Sequence, residues 1–195
     1  MPNTVGILGI VGSPREGGNT DTLVTEVLRG AEEAAGARSH KLFVGRCKIA
    51  PCTACGGCVK TGRCVSRDGM DELLPLMEAN PVWVLGTPAY WWGATAQMKV
   101  FVDRWFAPWA NPKTREVFNN RVAVVVTPLG DTNAAVARHT TGMFDDIFAF
   151  LGIPIAATVI ASGVGESGDV LKHPNVLKAA RDAGRAATEM AQRTN

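Results

Sequence analysis

Val5-Gly6-Ile7-Leu8-Gly9-Ile10-Val11-Gly12-Ser13-Pro14-Arg15-Glu16-Gly17-Gly18-Asn19-Thr20, continued by Asp21–Ala35, is the stretch that decides the fold. Val5–Val11 is aliphatic with only glycine between, as a strand covered on both faces must be. Asp21–Ala35 places Leu23, Val24, Val27, Leu28 and Ala31 on one helical face, with Asn19 or Thr20 available as N-cap and Gly36 as the stop. Strand, Gly-rich turn and helix together read as the first half of a crossover. The alternation recurs: strands are expected at His40–Val44, Val82–Gly86, Val122–Thr127 and Ile153–Ala161. Helices are expected at Met70–Ala79, Ala94–Trp105, Asn133–Leu151 (ended by Gly152 and Pro154) and Asn175–Gln192. This order implies one α/β domain over residues 1–195, a three-layer sandwich around a five-stranded parallel sheet of order 2-1-3-4-5. Ligands of such sheets bind beyond the carboxyl ends of the strands, which directs attention to Gly12–Thr20, Thr87–Thr95 and Thr127–Asn133.

Composition narrows the function. The 195 residues are 46% apolar and 19% charged, with a net charge of +2, so neither disorder nor a fibrous repeat is expected. Lys and Arg are interspersed with Asp and Glu rather than clustered, which argues against a nucleic-acid partner. No window approaches the roughly 18 to 20 apolar residues of a membrane span, and Met1-Pro2-Asn3-Thr4 has no basic leader pattern, so a cytoplasmic location is expected.

Gly12–Thr20 has the makings of a phosphate-binding loop. Ser13, Asn19 and Thr20 offer side-chain donors, Gly17 and Gly18 let backbone amides turn inward, Arg15 adds a cationic fork, and the following helix presents its positive end. It is not a Walker loop, and Gly6, Gly9 and Gly12 lack the dinucleotide spacing. The same composition also suits an ordinary strand-to-helix turn.

The third strand runs into Thr87-Pro88-Ala89-Tyr90-Trp91-Trp92-Gly93, three consecutive aromatics at the mouth of the sheet. A bound isoalloxazine would use such faces for stacking; cover for the core or a subunit interface is the other reading. Met98, Phe101, Val102, Trp105, Phe106 and Trp109 then supply more large apolar groups than an outer helix needs, as a homodimer face would.

Three motifs, Gly12-Ser13-Pro14-Arg15 with Gly18-Asn19-Thr20, Thr87-Pro88-Ala89-Tyr90-Trp91, and Lys99-x-Phe101-x-Asp103-Arg104, resemble the NADPH-dependent FMN reductase family of flavodoxin-like proteins over nearly the whole chain. The resemblance implies non-covalent FMN, with NAD(P)H as electron donor. It would put the FMN phosphate on Ser13, Arg15, Gly18, Asn19 and Thr20, the ring beside Pro88, Ala89, Tyr90, Trp91 and Trp92, and Thr127, Pro128, Leu129, Gly130 and Asp131 as the closing loop. It also implies a dimer with the flavin beside the interface.

All five cysteines lie between Cys47 and Cys64, and Cys52, Cys55, Cys58 and Cys64 spell C-x2-C-x2-C-x5-C. Thiolates so spaced suit a [4Fe–4S] cluster or tetrahedral zinc, and equally free thiols packing a loop. The motif resembles that of iron–sulfur flavoproteins, a branch of the same family. Cys47 falls outside it.

Flavin chemistry asks little of protein acids and bases, so the absence of a triad or carboxylate pair is expected. His139 beside Arg138 either contacts substrate or nicotinamide phosphate, or is an ordinary helix position. The resulting expectation is an FMN-dependent NAD(P)H oxidoreductase acting on a small planar acceptor such as a quinone, a nitro or azo compound or free flavin. The alternative is an electron-transfer protein pairing FMN with a [4Fe–4S] cluster.

Overall fold

The computed structural model describes residues 5–194; the leader reading at Met1–Thr4 lies outside them. Five parallel strands form one sheet in the order β2-β1-β3-β4-β5: β1 Gly6–Val11, β2 Arg38–Phe43, β3 Val82–Gly86, β4 Val122–Pro128 and β5 Ile155–Ala161. The expected order is the observed one. The helices are α1 Asn19–Ala35, α2 Met70–Ala79, α3 Ala96–Asp103, α4 Phe106–Trp109, α5 Arg138–Leu151 and α6 Pro174–Thr194.

Strand pleating divides the core in two. Ile7, Val11, Val82, Val84, Val122, Val124 and Val126 face α1 and α6, whereas Leu8, Ile10, Trp83, Leu85, Ala123 and Val125 face α2, α3 and α5. Both faces of β1, β3 and β4 are therefore covered, which is why these strands are continuously apolar. On one face, α1 and α6 nearly touch along their backbones. A Cβ on Gly30 would lie 2.0 Å from the Arg181 carbonyl oxygen, and one on Gly184 would lie 1.9 Å from that of Val27. On the other face Trp105, 4% exposed, meets Trp83 at 5.8 Å between ring centroids, with Phe101, Phe118 and Phe148 around it. Trp105 is thus core, and it also lines the apolar groove that Phe106 and Trp109 border.

Element ends moved for local reasons. β2 begins at Arg38, whose amide donates to the Val5 carbonyl, so its register is set by β1. Thr95 accepts from the Met98 amide and caps α3, so the expected helix from Ala94 starts at Ala96. The helix expected from Asn133 opens as a 3-10 turn over Ala134–Ala137 before α5. Pro154 delays β5 to Ile155.

Candidate cofactor site

Four loops at the carboxyl ends of β1, β3, β4 and β5 are tied into a closed ring. Thr95 Oγ1 donates to the Gly12 carbonyl at 2.7 Å, joining the β3 loop to the β1 loop. The Ala89 amide donates to the Pro128 carbonyl at 3.1 Å, joining β3 to β4. Leu129 donates to Ala161 at 2.8 Å, and Val164 donates to Leu129 at 2.9 Å, joining β4 to β5. Asn19 closes the circuit: its Nδ2 donates to the carbonyls of Val164 (3.0 Å) and Glu166 (2.8 Å), and its Oδ1 accepts from the Val170 amide (3.1 Å).

Inside this ring is a cavity of about 230 Å³ lined by Ser13, Arg15, Gly18, Asn19, Thr20, Pro88, Ala89, Tyr90, Pro128, Leu129 and Gly130. The loop after β5 adds Val164, Gly165 and Ser167, which the sequence reading missed. The only sequence signal was Gly163-Val164-Gly165-Glu166-Ser167-Gly168, a turn-like run at an edge strand. At the floor is the N-terminus of α1. Its N-cap is Gly18, with no side-chain cap, so the first-turn amides have no partner inside the helix and carry the positive end of the helix dipole. The Asn19 side chain is spent on the β5 loop, so neither Asn19 nor Thr20 is the expected N-cap. Ser13 Oγ accepts from the Arg15 amide (3.1 Å), which curls the loop, and exposed Arg15 reaches the Gly165 carbonyl with Nη1 at 3.4 Å. An uncapped helix start with an Arg at the rim fits a phosphate monoester.

Of the remaining candidates, Thr127 is fully buried in β4 with an unpartnered hydroxyl and stays out of the cavity. Trp91 and Trp92 line a separate hollow of about 210 Å³ with Ala89, Leu129, Gly130, Asp131 and Val136. His139 is exposed at the start of α5 and lines neither. Tyr90 and Gly93 exchange both backbone hydrogen bonds, at 2.9 and 3.0 Å, around Trp91 (φ 48°) and Trp92 (φ 62°). This is the geometry of a two-residue primed turn, whose central positions ordinarily hold Asn and Gly. A left-handed non-glycine residue costs about 1–3 kcal/mol.

None of the cysteines lines the cavity. Cys52 and Cys55 are exposed, Cys58 is buried and Cys64 half-buried. Burial pushes the Cys58 thiol up, and the neighbouring Cys64, Cys52 and Cys55 add to that. The Gly57 backbone and the Thr53 side chain, as hydrogen-bond partners, draw Cys55 down. The donor set has thiolate chemistry, but among the described residues no three His, Cys, Asp or Glu side chains are gathered so as to hold a metal ion. The thiolate donor set suits a cluster or zinc, and the loop would have to draw its thiols together to hold one. Thiolates repel one another, and it is commonly the binding energy of the metal that gathers such a loop.

A doubly wound sheet with a phosphate-type pocket at the switch between β1 and β3 defines the flavodoxin-like class of nucleotide-binding proteins. The model of the NADPH-dependent FMN reductase family matches residues 5–164, and the chain belongs to that family of flavin-containing NAD(P)H oxidoreductases. An iron-sulfur flavoprotein of Archaeoglobus fulgidus is 32% identical over 164 residues, 83% of this chain and 71% of the relative. The Bacillus subtilis protein YwqN, named as an NAD(P)H-dependent FMN-containing oxidoreductase, is 25% identical over 88% of this chain and 92% of its own length. Among solved structures, the NAD(P)H:quinone oxidoreductase from Methanothermobacter marburgensis superposes with a TM-score of 0.70 at 18% identity, covering 94% of this chain and 98% of that one, and supports the fold.

Proposed function

We propose that residues 1–195 act as one FMN-binding domain that passes electrons from NAD(P)H to a small planar acceptor: a quinone, a nitro or azo compound, or free flavin. The observation that carries this reading is the closed ring of loops around the uncapped start of α1, with Tyr90 on the cavity wall. The Gly18, Asn19 and Thr20 backbone, the Ser13 hydroxyl and Arg15 hold the phosphate. Pro88, Ala89, Tyr90, Pro128, Leu129 and Gly130 border the ring. FMN, when bound, supplies the hydride-accepting centre. The protein's own groups bind, orient and exclude water. Arg15→Ala weakens FMN binding by about tenfold to a hundredfold, since a hydrogen bond to a charged group is worth about 1.5–3 kcal/mol; an unchanged dissociation constant by flavin titration removes Arg15 from the phosphate site.

The apolar groove formed by Val102, Trp105, Phe106, Trp109, Phe150 and Leu151 supports a homodimer, and a cytoplasmic location agrees with the unpaired thiols. The relatives named as iron-sulfur flavoproteins, together with this chain's own Cys52, Cys55, Cys58 and Cys64 in one loop, support a second reading as an electron carrier. Anaerobic purification, an absorption spectrum, and assays for iron and acid-labile sulfide separate the two. Iron-free protein that oxidises NAD(P)H rapidly with a quinone sinks the carrier. Protein with stoichiometric iron and sulfide but negligible quinone turnover sinks the reductase.

A further inference from the structure

Gly17, in the loop before α1, has φ 68° and open space where a Cβ would lie, so backbone conformation alone calls for glycine there. Its amide donates to Asp21 Oδ2 at 2.9 Å, and Gly17 is not on the cavity wall. Gly17 therefore does not offer a ligand the amide expected of it. The Asp21 carboxylate holds that peptide back, one residue before the open first-turn amides of α1. Asp21 Oδ1 accepts from Lys41 Nζ at 2.6 Å, and the same Nζ donates to Thr25 Oγ1 at 2.8 Å, one turn further along α1. Lys41 stands on the edge strand β2, two residues from Phe43, which packs on the α1 side of the sheet, so both point to that face. A lysine on a helix-covered face breaks the apolar pattern, and Asp21 is what it meets there. The side chains are 10% exposed for Asp21 and 31% for Lys41, so water screens this pair less than a surface pair. Neither residue lines the cavity. A carboxylate in the first turn suits a helix dipole, but a phosphate at the same helix end is repelled by it unless a cation cancels its charge.

Resting on the FMN-binding reading above, we propose that Asp21 and Lys41 are the positioning pair of the phosphate loop, and that they set the preference of the site for FMN over riboflavin, the same flavin without its phosphate. Asp21 shapes the loop through Gly17. Lys41 keeps the Asp21 carboxylate from repelling the phosphate. Both act through the loop and not on the flavin itself, so their effect is confined to ligands that carry a phosphate.

The test titrates the full chain, freed of flavin, with FMN and with riboflavin, followed by flavin fluorescence. Lys41→Met keeps an aliphatic stem beside α1 and removes the charge. It raises the Kd for FMN by about tenfold and leaves that for riboflavin unchanged. Asp21→Asn/Lys41→Met removes both charges but keeps an oxygen for the Gly17 amide, and it returns the FMN Kd to within about threefold of wild type. Asp21→Ala has no acceptor for Gly17 and raises the FMN Kd by about tenfold, again without effect on riboflavin, whereas Asp21→Asn retains FMN. Equal losses of FMN and riboflavin in the single variants would mean a general loosening of the fold and overturn the proposal. An unchanged FMN Kd in Lys41→Met would overturn it too. So would a double variant as weak as Lys41→Met, since Lys41 would then act on the phosphate directly. Wild-type protein that holds FMN no more tightly than riboflavin overturns the proposal and leaves the oxidoreductase reading in place. Wild-type protein that binds neither flavin overturns both.

Discussion

Arg104, at the end of α3 and 2% exposed, grips Asp68 with both arms: Nη1 donates to Oδ2 at 2.6 Å and Nη2 to Oδ1 at 3.2 Å. Nη1 also reaches the Ala50 carbonyl at 2.7 Å, so both shoulders of the cysteine loop hang on one guanidinium. Neither Arg104 nor Asp68 lines the cofactor cavity; together they fasten a long loop to the end of α3. Burial pushes the Asp68 carboxyl up, but hydrogen bonds from Arg104 and from the Ala50 and Met70 amides outweigh it and hold the group below the usual carboxylate range. Asp68→Asn leaves a buried, always charged guanidinium without its counter-ion, and urea unfolding should lose about 3–5 kcal/mol.

The same pair sets an acid limit. A carboxyl with a lowered folded-state value contributes stability above its unfolded value, near 4, and that contribution is lost as the pH falls through the folded value. Wild-type protein should therefore lose stability below about pH 4, and Asp68→Asn should show a flatter profile there. Parallel slopes in thermal melts across that window would exclude Asp68 as a source.

Asn19→Asp keeps an acceptor for the Val170 amide but cannot donate to the Val164 and Glu166 carbonyls. The loop after β5 then loses two buried hydrogen bonds, about 1–3 kcal/mol together. Faster amide exchange over residues 163–170 and weaker FMN binding are expected. A loop exchanging at the wild-type rate would mean that the ring of loops closes without Asn19.

Gly184→Ala puts a methyl where the Val27 carbonyl oxygen lies 1.9 Å away. Backbone cannot step aside as a side chain does, so α6 must lift from α1. The cost is at least the roughly 1–3 kcal/mol of ordinary overpacking, seen as a melting temperature lower by several degrees.

Phe150 is 69% exposed and meets Trp109 at a tilt of 43° with ring centroids 5.4 Å apart, in the apolar groove. Phe150→Glu should leave the protomer folded, because a surface change away from the core costs about 0.5 kcal/mol or less. It should convert a dimer to monomer in sedimentation velocity. A dimer that survives places the interface elsewhere.

The central strands were legible because each is buried on both faces and so continuously apolar; the edge strand β2, Arg-Ser-His-Lys-Leu-Phe, is not, and its start was read two residues late. The loops after β1, β3 and β4 were legible from strand order alone. Val164, Gly165 and Ser167 were not, since an edge-strand loop reaches the cavity through bonds across the ring, from Asn19, Arg15 and Leu129, that no local pattern announces. Position in the chain also could not sort the tryptophans. Trp83 and Trp105 are core and Trp91 and Trp92 are display, a difference made by strand pleat and by two left-handed residues.

Apolar periodicity and crossover order by themselves determined the sheet, its strand order and the end of it where a ligand sits, because burial on two faces leaves an unmistakable pattern and parallel connections admit few topologies. Tertiary structure alone decided which side chains remain free to meet a ligand. The Asn19 side chain is consumed by a neighbouring loop, Thr127 is buried outside the cavity, and the spacing of Cys52, Cys55, Cys58 and Cys64 allows a gathering that the described loop has not made. Spacing along a chain limits how far two groups can be apart; only packing and hydrogen bonding decide which way they point.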